Sequence, residues 1–290
     1  MANSRDDGFR VVAYVTSAVV ADNIQYDKLT HINYSFLIPR ENGTFEMLPN
    51  GWKLEQIIEN AHKGDVKVLI SVGGWGWDQQ FETLAAIPES RSVFVDELVA
   101  FVQSFDLDGV DLDWEYPDPG QSSENFLALV KQLRIALPGD KLLTTAVVAY
   151  GDEHGLGIPE VSFEYFDFVN IMAYDGGDIH GTMVQFDAGL AYWRGRGLPE
   201  DKIVLGLPFY AYPDGISYYK IVGAFPEASQ MDTYEYYGVQ LTYNGIPTIQ
   251  EKTRRAMLEA GGVMFWTLEQ DDFGEYSLLS AIDRIVRGDG

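Results

Sequence analysis

The chain has no cysteine among its 290 residues. That excludes a disulfide framework, a thiol nucleophile and any cysteine zinc site. Histidine is scarce. His31, His62, His154 and His180 stand far apart at no metal-ligand spacing, so each is expected in a structural or surface role, and no metal or cofactor is expected. Positive charge is short as well: 20 lysines and arginines face 44 acidic residues, a net charge of -24. Nucleic acid and anionic membranes are poor partners for such a surface. No apolar run reaches the roughly 18 residues of a membrane helix. The opening MANSRDDGF has no signal-peptide core, so the chain reads as intracellular or as a mature form whose export signal was removed. Hydrophobic residues, by contrast, make up 46% of the chain, enough for a sizeable core.

Eight short, β-branched-rich runs punctuate the sequence: 9–15, 31–36, 66–72, 107–114, 142–148, 166–174, 203–209 and 262–267. Their near-continuous hydrophobicity suits a parallel sheet covered on its outer side. Helical spacing of apolar residues marks 53–64, which stops at Gly64, then 90–105, 123–137, a segment from Pro247 to Gly261, and 276–286. Repeated β/α units over about 250 residues predict a (β/α)₈ barrel. No linker or low-complexity stretch interrupts residues 1–290, so one catalytic domain is expected, with its core over about 9–287 and no appended binding module. The irregular stretch 210–246 carries eight tyrosines and is longer than an ordinary connection, which predicts a small hairpin there.

The fourth strand poses the sharpest question. FDLDGVDLDWEYPDP, residues 105–119, sets Asp111, Asp113 and Glu115 at alternate positions, with Val110, Leu112 and Trp114 between them. Side chains on a strand alternate faces, so the three carboxyls share one face and the apolar residues the other. In a barrel the acidic face points to the axis. Glu115 then lies nearest the C-terminal end, where barrel enzymes keep their active sites. Gly109 leaves room inside. Carboxyls spaced by about 6.6–7 Å of backbone cannot all ionise cheaply, so at least one pKa must rise. A carboxylic acid with a raised pKa is what general acid catalysis near neutrality requires.

DGVDLDWE (108–115) resembles the D-x-x-D-x-D-x-E signature of family 18 glycoside hydrolases, the chitinase family. THINYSF (30–36), SVGGW (71–75), MAYD (172–175), GLPFY (206–210) and GVMFWTLEQDD (262–272) resemble further motifs of that family in the same order. The resemblance implies hydrolysis of β-1,4 bonds between N-acetylglucosamine units with retention, the substrate's own acetamido oxygen being the nucleophile. It implies that Glu115 is the acid and base, that Asp113 orients the acetamido N–H, and that Asp111 shares a proton with Asp113. Asp108, of the opposite parity, is mainly structural. By the same resemblance Tyr174 aims the acetamido oxygen, Asp175 contacts the sugar or a neighbour of Glu115, and Trp266 floors the sugar at the cleavage point. Tyr14 and Ser71 match positions that hydrogen-bond the innermost aspartate. Gly73 and Gly74 keep the mouth open and the backbone close to the sugar. Trp75, Trp77 and Tyr210 are candidate sugar platforms, whereas Trp52 and Trp193 read as structural.

Many relatives insert an α+β domain after the seventh strand. The interval here is too short for it, which predicts an open cleft and internal cleavage of chitin and N-acetylglucosamine oligosaccharides. The polymeric substrate implies a secreted enzyme, and a monomer is expected. A lectin, an endo-β-N-acetylglucosaminidase and a metal-dependent barrel are the competing readings. The presence of Glu115, Asp113 and Tyr174 argues against the lectin. DWEYP and SVGGW argue against the glucosaminidase. The lack of nearby histidines argues against the metal site.

Overall fold

Eight parallel strands close into a barrel in the computed structural model, which describes residues 8–176 and 180–288. They are β1 (Arg10–Thr16), β2 (His31–Leu37), β3 (Lys67–Gly73), β4 (Gly109–Asp113), β5 (Leu142–Val148), β6 (Phe168–Met172), β7 (Ile203–Pro208) and β12 (Gly262–Trp266), neighbours in that order with β12 against β1. The helices are α1 (Gly51–Lys63), α2 (Asp78–Ala86), α3 (Pro88–Ser104), α4 (Gln121–Ala136), α5 (Asp152–Gly155), α6 (Met183–Gly195), α7 (Tyr218–Ala224), α8 (Ile246–Glu259) and α9 (Leu278–Val286). No helix among the described residues is long and apolar enough to cross a membrane.

Strand parity sorts the apolar residues into two separate clusters. Val110, Leu112, Ile70, Val72, Ile171, Leu205 and Phe265 join the large cluster that the strands make with the helices. Val12, Tyr14, Phe168, Val204 and Met264 form a small one inside the barrel. Val110 and Leu112 are fully buried on one side of β4, Asp111 and Asp113 are buried on the other, and Trp114 stacks on Phe81 of α2. A one-residue slip of β4 would drive its carboxyls into the helix layer, so the register is fixed by burial on both sides.

Three local expectations change. The expected room at Gly109 is not there: a Cβ would lie 2.2 Å from the Leu142 carbonyl oxygen, so glycine lets β4 and β5 approach. α2 and α6 go beyond the helices expected from periodicity. Phe186, Gly189, Leu190 and Trp193 do keep helical spacing, and the Trp193 indole, buried, donates to the carbonyls of Val148 and Ala149. The 210–246 stretch holds more than a hairpin. β8 (Tyr210–Ala211) pairs with β9 (Ile216–Ser217), α7 follows, and β10 (Thr233–Tyr236) pairs with β11 (Val239–Thr242). Tyr218 and Tyr243 are buried packing residues, while Tyr234, Tyr236 and Tyr237 gather round Phe225.

Gly109→Ala is expected to lower stability by about 1–3 kcal/mol, as overpacking does. The denaturant midpoint should fall with little change in slope. An unchanged midpoint would show that the two strands can separate to admit a methyl group.

Candidate active site

Asp111 is the deepest charge. It is fully buried and accepts four hydrogen bonds. Tyr14 and Ser71 each donate to Oδ2 at 2.8 Å, and Thr144 (2.6 Å) and Asn170 (3.1 Å) donate to Oδ1. These donors come from β1, β3, β5 and β6, brought level by parallel registers that set Ser71 beside Asp111 and Asp111 beside Thr144. Burial pushes the Asp111 carboxyl up, and the four donors pull it back. Thr144 and Asn170 escaped the sequence reading. Their signal is a polar residue at inward parity within an apolar strand.

Asp113 is the opposite case. It is 3% exposed, and its Oδ1 has no hydrogen-bond partner among the described residues. Its pKa is pushed far up, first by burial and then by the charges of Glu115 and Asp111. Among the described residues no hydrogen bond joins Asp111 to Asp113, and neutral donors occupy both Asp111 oxygens. Glu115 is pushed up to about 7, mainly by burial and also by the charge of Asp175, with Tyr116 opposing. Asp108 stands outside the site, where its Oδ2 accepts from Val68 N (2.8 Å) and faces His62 Nε2 (2.9 Å).

Glu115 and Asp113 open into a cavity of about 240 Å³ that Tyr14, Trp75, Tyr174, Asp175, Tyr210 and Trp266 also line. Its walls thus come from β1, the β3 loop, β4, β6, β8 and β12. Trp266 stacks on Phe36 with centroids 5.4 Å apart. The Tyr174 hydroxyl lies 3.8 Å from Met264 Sδ, and the Tyr210 hydroxyl donates to Asp175. Burial would raise the Asp175 carboxyl, but His180 and Tyr210 beside it hold it below its ordinary value.

Other expected site residues stand elsewhere or serve differently. Trp77 lies outside the cavity, in a groove with Pro39 and Gln80. Trp75 is 78% exposed at the mouth. Gly73 and Gly74 both have left-handed φ. A Cβ at Gly73 would lie 2.4 Å from the Asp113 carbonyl oxygen, and one at Gly74 2.6 Å from the Phe36 ring. Close approach of β4 and Phe36 therefore demands these glycines, a constraint distinct from the sugar contact expected of them. His180, expected away from any site, sits beside Asp175.

The model of glycosyl hydrolases family 18 matches residues 10–271. The chain belongs to this family. It is similar to a probable endochitinase of Caenorhabditis elegans, 34% identical over 56% of this chain and 32% of that protein. An endochitinase of Manduca sexta is 30% identical over 71% of this chain and 45% of its own length. The chain thus spans under half the length of either relative. Two solved family structures match nearly end to end. One, the GH18 chitinase ChiB from the chitin utilization locus of Flavobacterium johnsoniae, has 30% identity and TM-score 0.84 over 96% of this chain and 94% of that one. The other, a chitinase from Bacteroides thetaiotaomicron, has 28% identity and TM-score 0.87 over 96% of each.

A carboxyl whose folded pKa exceeds its unfolded value holds its proton more tightly in the folded state. For Glu115 the resulting stability is complete below its ordinary value of 4.5 and is lost as the pH rises through about 7. Glu115→Gln should therefore be more stable than the unmodified chain at about pH 8.5, on the order of 2–3 kcal/mol. The gap should close below the unfolded pKa. Denaturant midpoints across pH check this, and a pH-independent difference would refute it.

Proposed function

We propose that this chain is an endo-acting chitinase that cleaves β-1,4 bonds between N-acetylglucosamine units with retention, using the substrate's acetamido group. The observation that carries the reading is the unequal carboxyl pair at one cavity, with Glu115 poised near neutrality and Asp113 buried beside it. A double displacement needs an ionised carboxylate on the far side of the anomeric carbon. Asp113 fills that role poorly. It ends β4 only two residues before Glu115, and burial favours its protonated form. The nucleophile is then best supplied by the substrate.

In this mechanism the Glu115 carboxyl gives its proton to the glycosidic oxygen as the C1–O bond breaks. The acetamido carbonyl oxygen forms a bond to C1, giving an oxazolinium ion. Asp113, with an unpartnered oxygen, accepts from the acetamido N–H and orients it. Tyr174 donates to the acetamido oxygen and aims it. Glu115, now a carboxylate, takes a proton from water. The water oxygen bonds to C1, the C1–oxazolinium oxygen bond opens, and the β-anomer results. Trp266 and Phe36, stacked at the cavity wall, give the sugar's C–H face and the acetamide methyl an apolar floor. Trp75 at the mouth suits a neighbouring unit. The short β7–α8 connection and the polymeric substrate support internal cleavage outside the cell.

Proton NMR of N-acetylchitohexaose digestion tests this. β-Anomer should dominate the first products, and Glu115→Gln should lose about 10²–10⁴ in rate. Because the acid must carry its proton, kcat/KM should fall as the pH rises through about 7. α-Anomer, or full activity in the variant, would overturn the mechanism. Dimer alone from the first minutes of polymer digestion would overturn endo action.

A further inference from the structure

Asp175 reaches Glu115 from another strand, three residues past the end of β6, with a left-handed φ of 57°. A non-glycine residue in that region persists only where its surroundings hold it. Its carbonyl accepts from Gln185 Nε2 at 3.2 Å, and its N–H donates to His180 Nδ1 at 3.2 Å. The other ring nitrogen, Nε2, lies 3.2 Å from the Tyr210 carbonyl oxygen. Nδ1 also faces Asp175 Oδ1 at 3.5 Å. The His180 ring is fully buried, 4.9 Å from the Tyr210 ring centroid. One histidine thus ties together the two residues whose side chains meet beside Glu115.

His180 is itself pinned from behind. The carbonyl of Gly181 accepts from Lys252 Nζ at 2.6 Å and from Asn244 Nδ2 at 2.7 Å, and Lys252 also donates to Asn244 Oδ1 at 2.7 Å. Lys252 projects from α8, is wholly buried, and sits over the Phe186 ring at 5.3 Å. Its hydrogen bonds go to neutral oxygens. Burial pulls its pKa down to about 7, with Asp232 and Asp187 opposing from a distance. A buried ammonium held by neutral oxygens is costly, and its contacts converge on the one carbonyl next to His180.

We propose that His180, anchored through Gly181 by Asn244 and Lys252, is a positioning residue for acid catalysis, fixing Asp175 and Tyr210 against Glu115. The groups facing Glu115 are Asp113 on its own strand, Tyr116 after it, Tyr174 and Asp175 after β6, and Tyr210 in β8. Among these, Asp113 and Asp175 are the carboxyls. His180 holds the one that is not built into β4. The inference rests on the reading of Glu115 as the acid.

Two substrates separate positioning of the acid from general support of the fold. N-acetylchitotetraose needs its leaving group protonated, whereas a 2,4-dinitrophenyl N,N′-diacetylchitobioside does not. His180→Ala should lose about tenfold or more in kcat on N-acetylchitotetraose but under about threefold on the activated glycoside. Equal loss on both, or loss on neither, overturns the proposal. Lys252→Met, close in shape, should show the same selectivity, so the test survives if His180→Ala does not fold. His180→Asn, which keeps an acceptor near the Nδ1 position, should recover part of the loss. A ¹³C NMR titration of Glu115 reads the same geometry without turnover. Its midpoint should fall in His180→Ala as the Asp175 charge moves away, and an unchanged midpoint overturns the proposal. Inactivity of the unmodified chain on both substrates, with that midpoint still falling in the variant, would count against the chitinase reading and leave the positioning role supported.

Discussion

A carboxylate at the axis of the barrel, Asp111, is the constraint around which the interior is arranged. Burying such a group without partners costs several kcal/mol. Four donors from four other strands offset that cost, each hydrogen bond to a charged group contributing about 1.5–3 kcal/mol. The donors are neutral, so the charge is solvated without being cancelled. That uncancelled charge acts on Asp113, one layer above, and Asp113 and Glu115 act on each other. Burial is the first cause of the raised pKa of Asp113, and the charges of Glu115 and then Asp111 add to it. In our reading, the rank order of protonation along β4 is built by depth: Asp111 ionised and fully solvated by protein, Asp113 holding its proton, and Glu115 able to exchange one with a ligand.

The second element of the design is convergence. β4 and the two residues after it supply the two upper carboxyls, but the surfaces they work against come from elsewhere: Tyr14 from β1, Tyr174 and Asp175 from just past β6, Tyr210 from β8, and Trp266 from β12. A closed parallel barrel brings these ends to one rim. Some of these residues, Tyr174 and Asp175 among them, lie past the strand ends and need fixing. The glycines of the β3 loop allow β4 and Phe36 to close in. Asp175 and Gly181, after β6, are held by a longer chain of contacts that runs back to a helix late in the sequence.

Most of the barrel was legible in the sequence because parity and burial agree. A strand covered on its outer side reads as an apolar run, and the acidic residues of β4 stand out against it. The carboxyl row, Tyr14, Ser71 and Trp266 were legible for the same reason, aided by motif spacing. Thr144 and Asn170 follow the same parity rule but look unremarkable as single polar residues. α6 was missed although Phe186, Leu190 and Trp193 keep helical spacing, because Gly189 interrupts the pattern. Gly109 was misread. A strand pattern gives a residue's side of the sheet but not the distance to its neighbour. His180 and Lys252 were not legible as site residues at all. The contacts that tie them to the site, His180 to Tyr210 and Lys252 to Gly181, join residues 30 and 71 apart and become visible only in the folded chain.

The most direct test of this account is the location of the proton in the resting site, by neutron diffraction near neutral pH. The account predicts a deuteron on the Asp113 carboxyl and none on Asp111, with the Tyr14, Ser71 and Thr144 hydroxyls all turned toward Asp111. A deuteron on Asp111, or hydroxyls turned away from it, would contradict the claim that a buried charge solvated by four donors lies beneath a protonated Asp113.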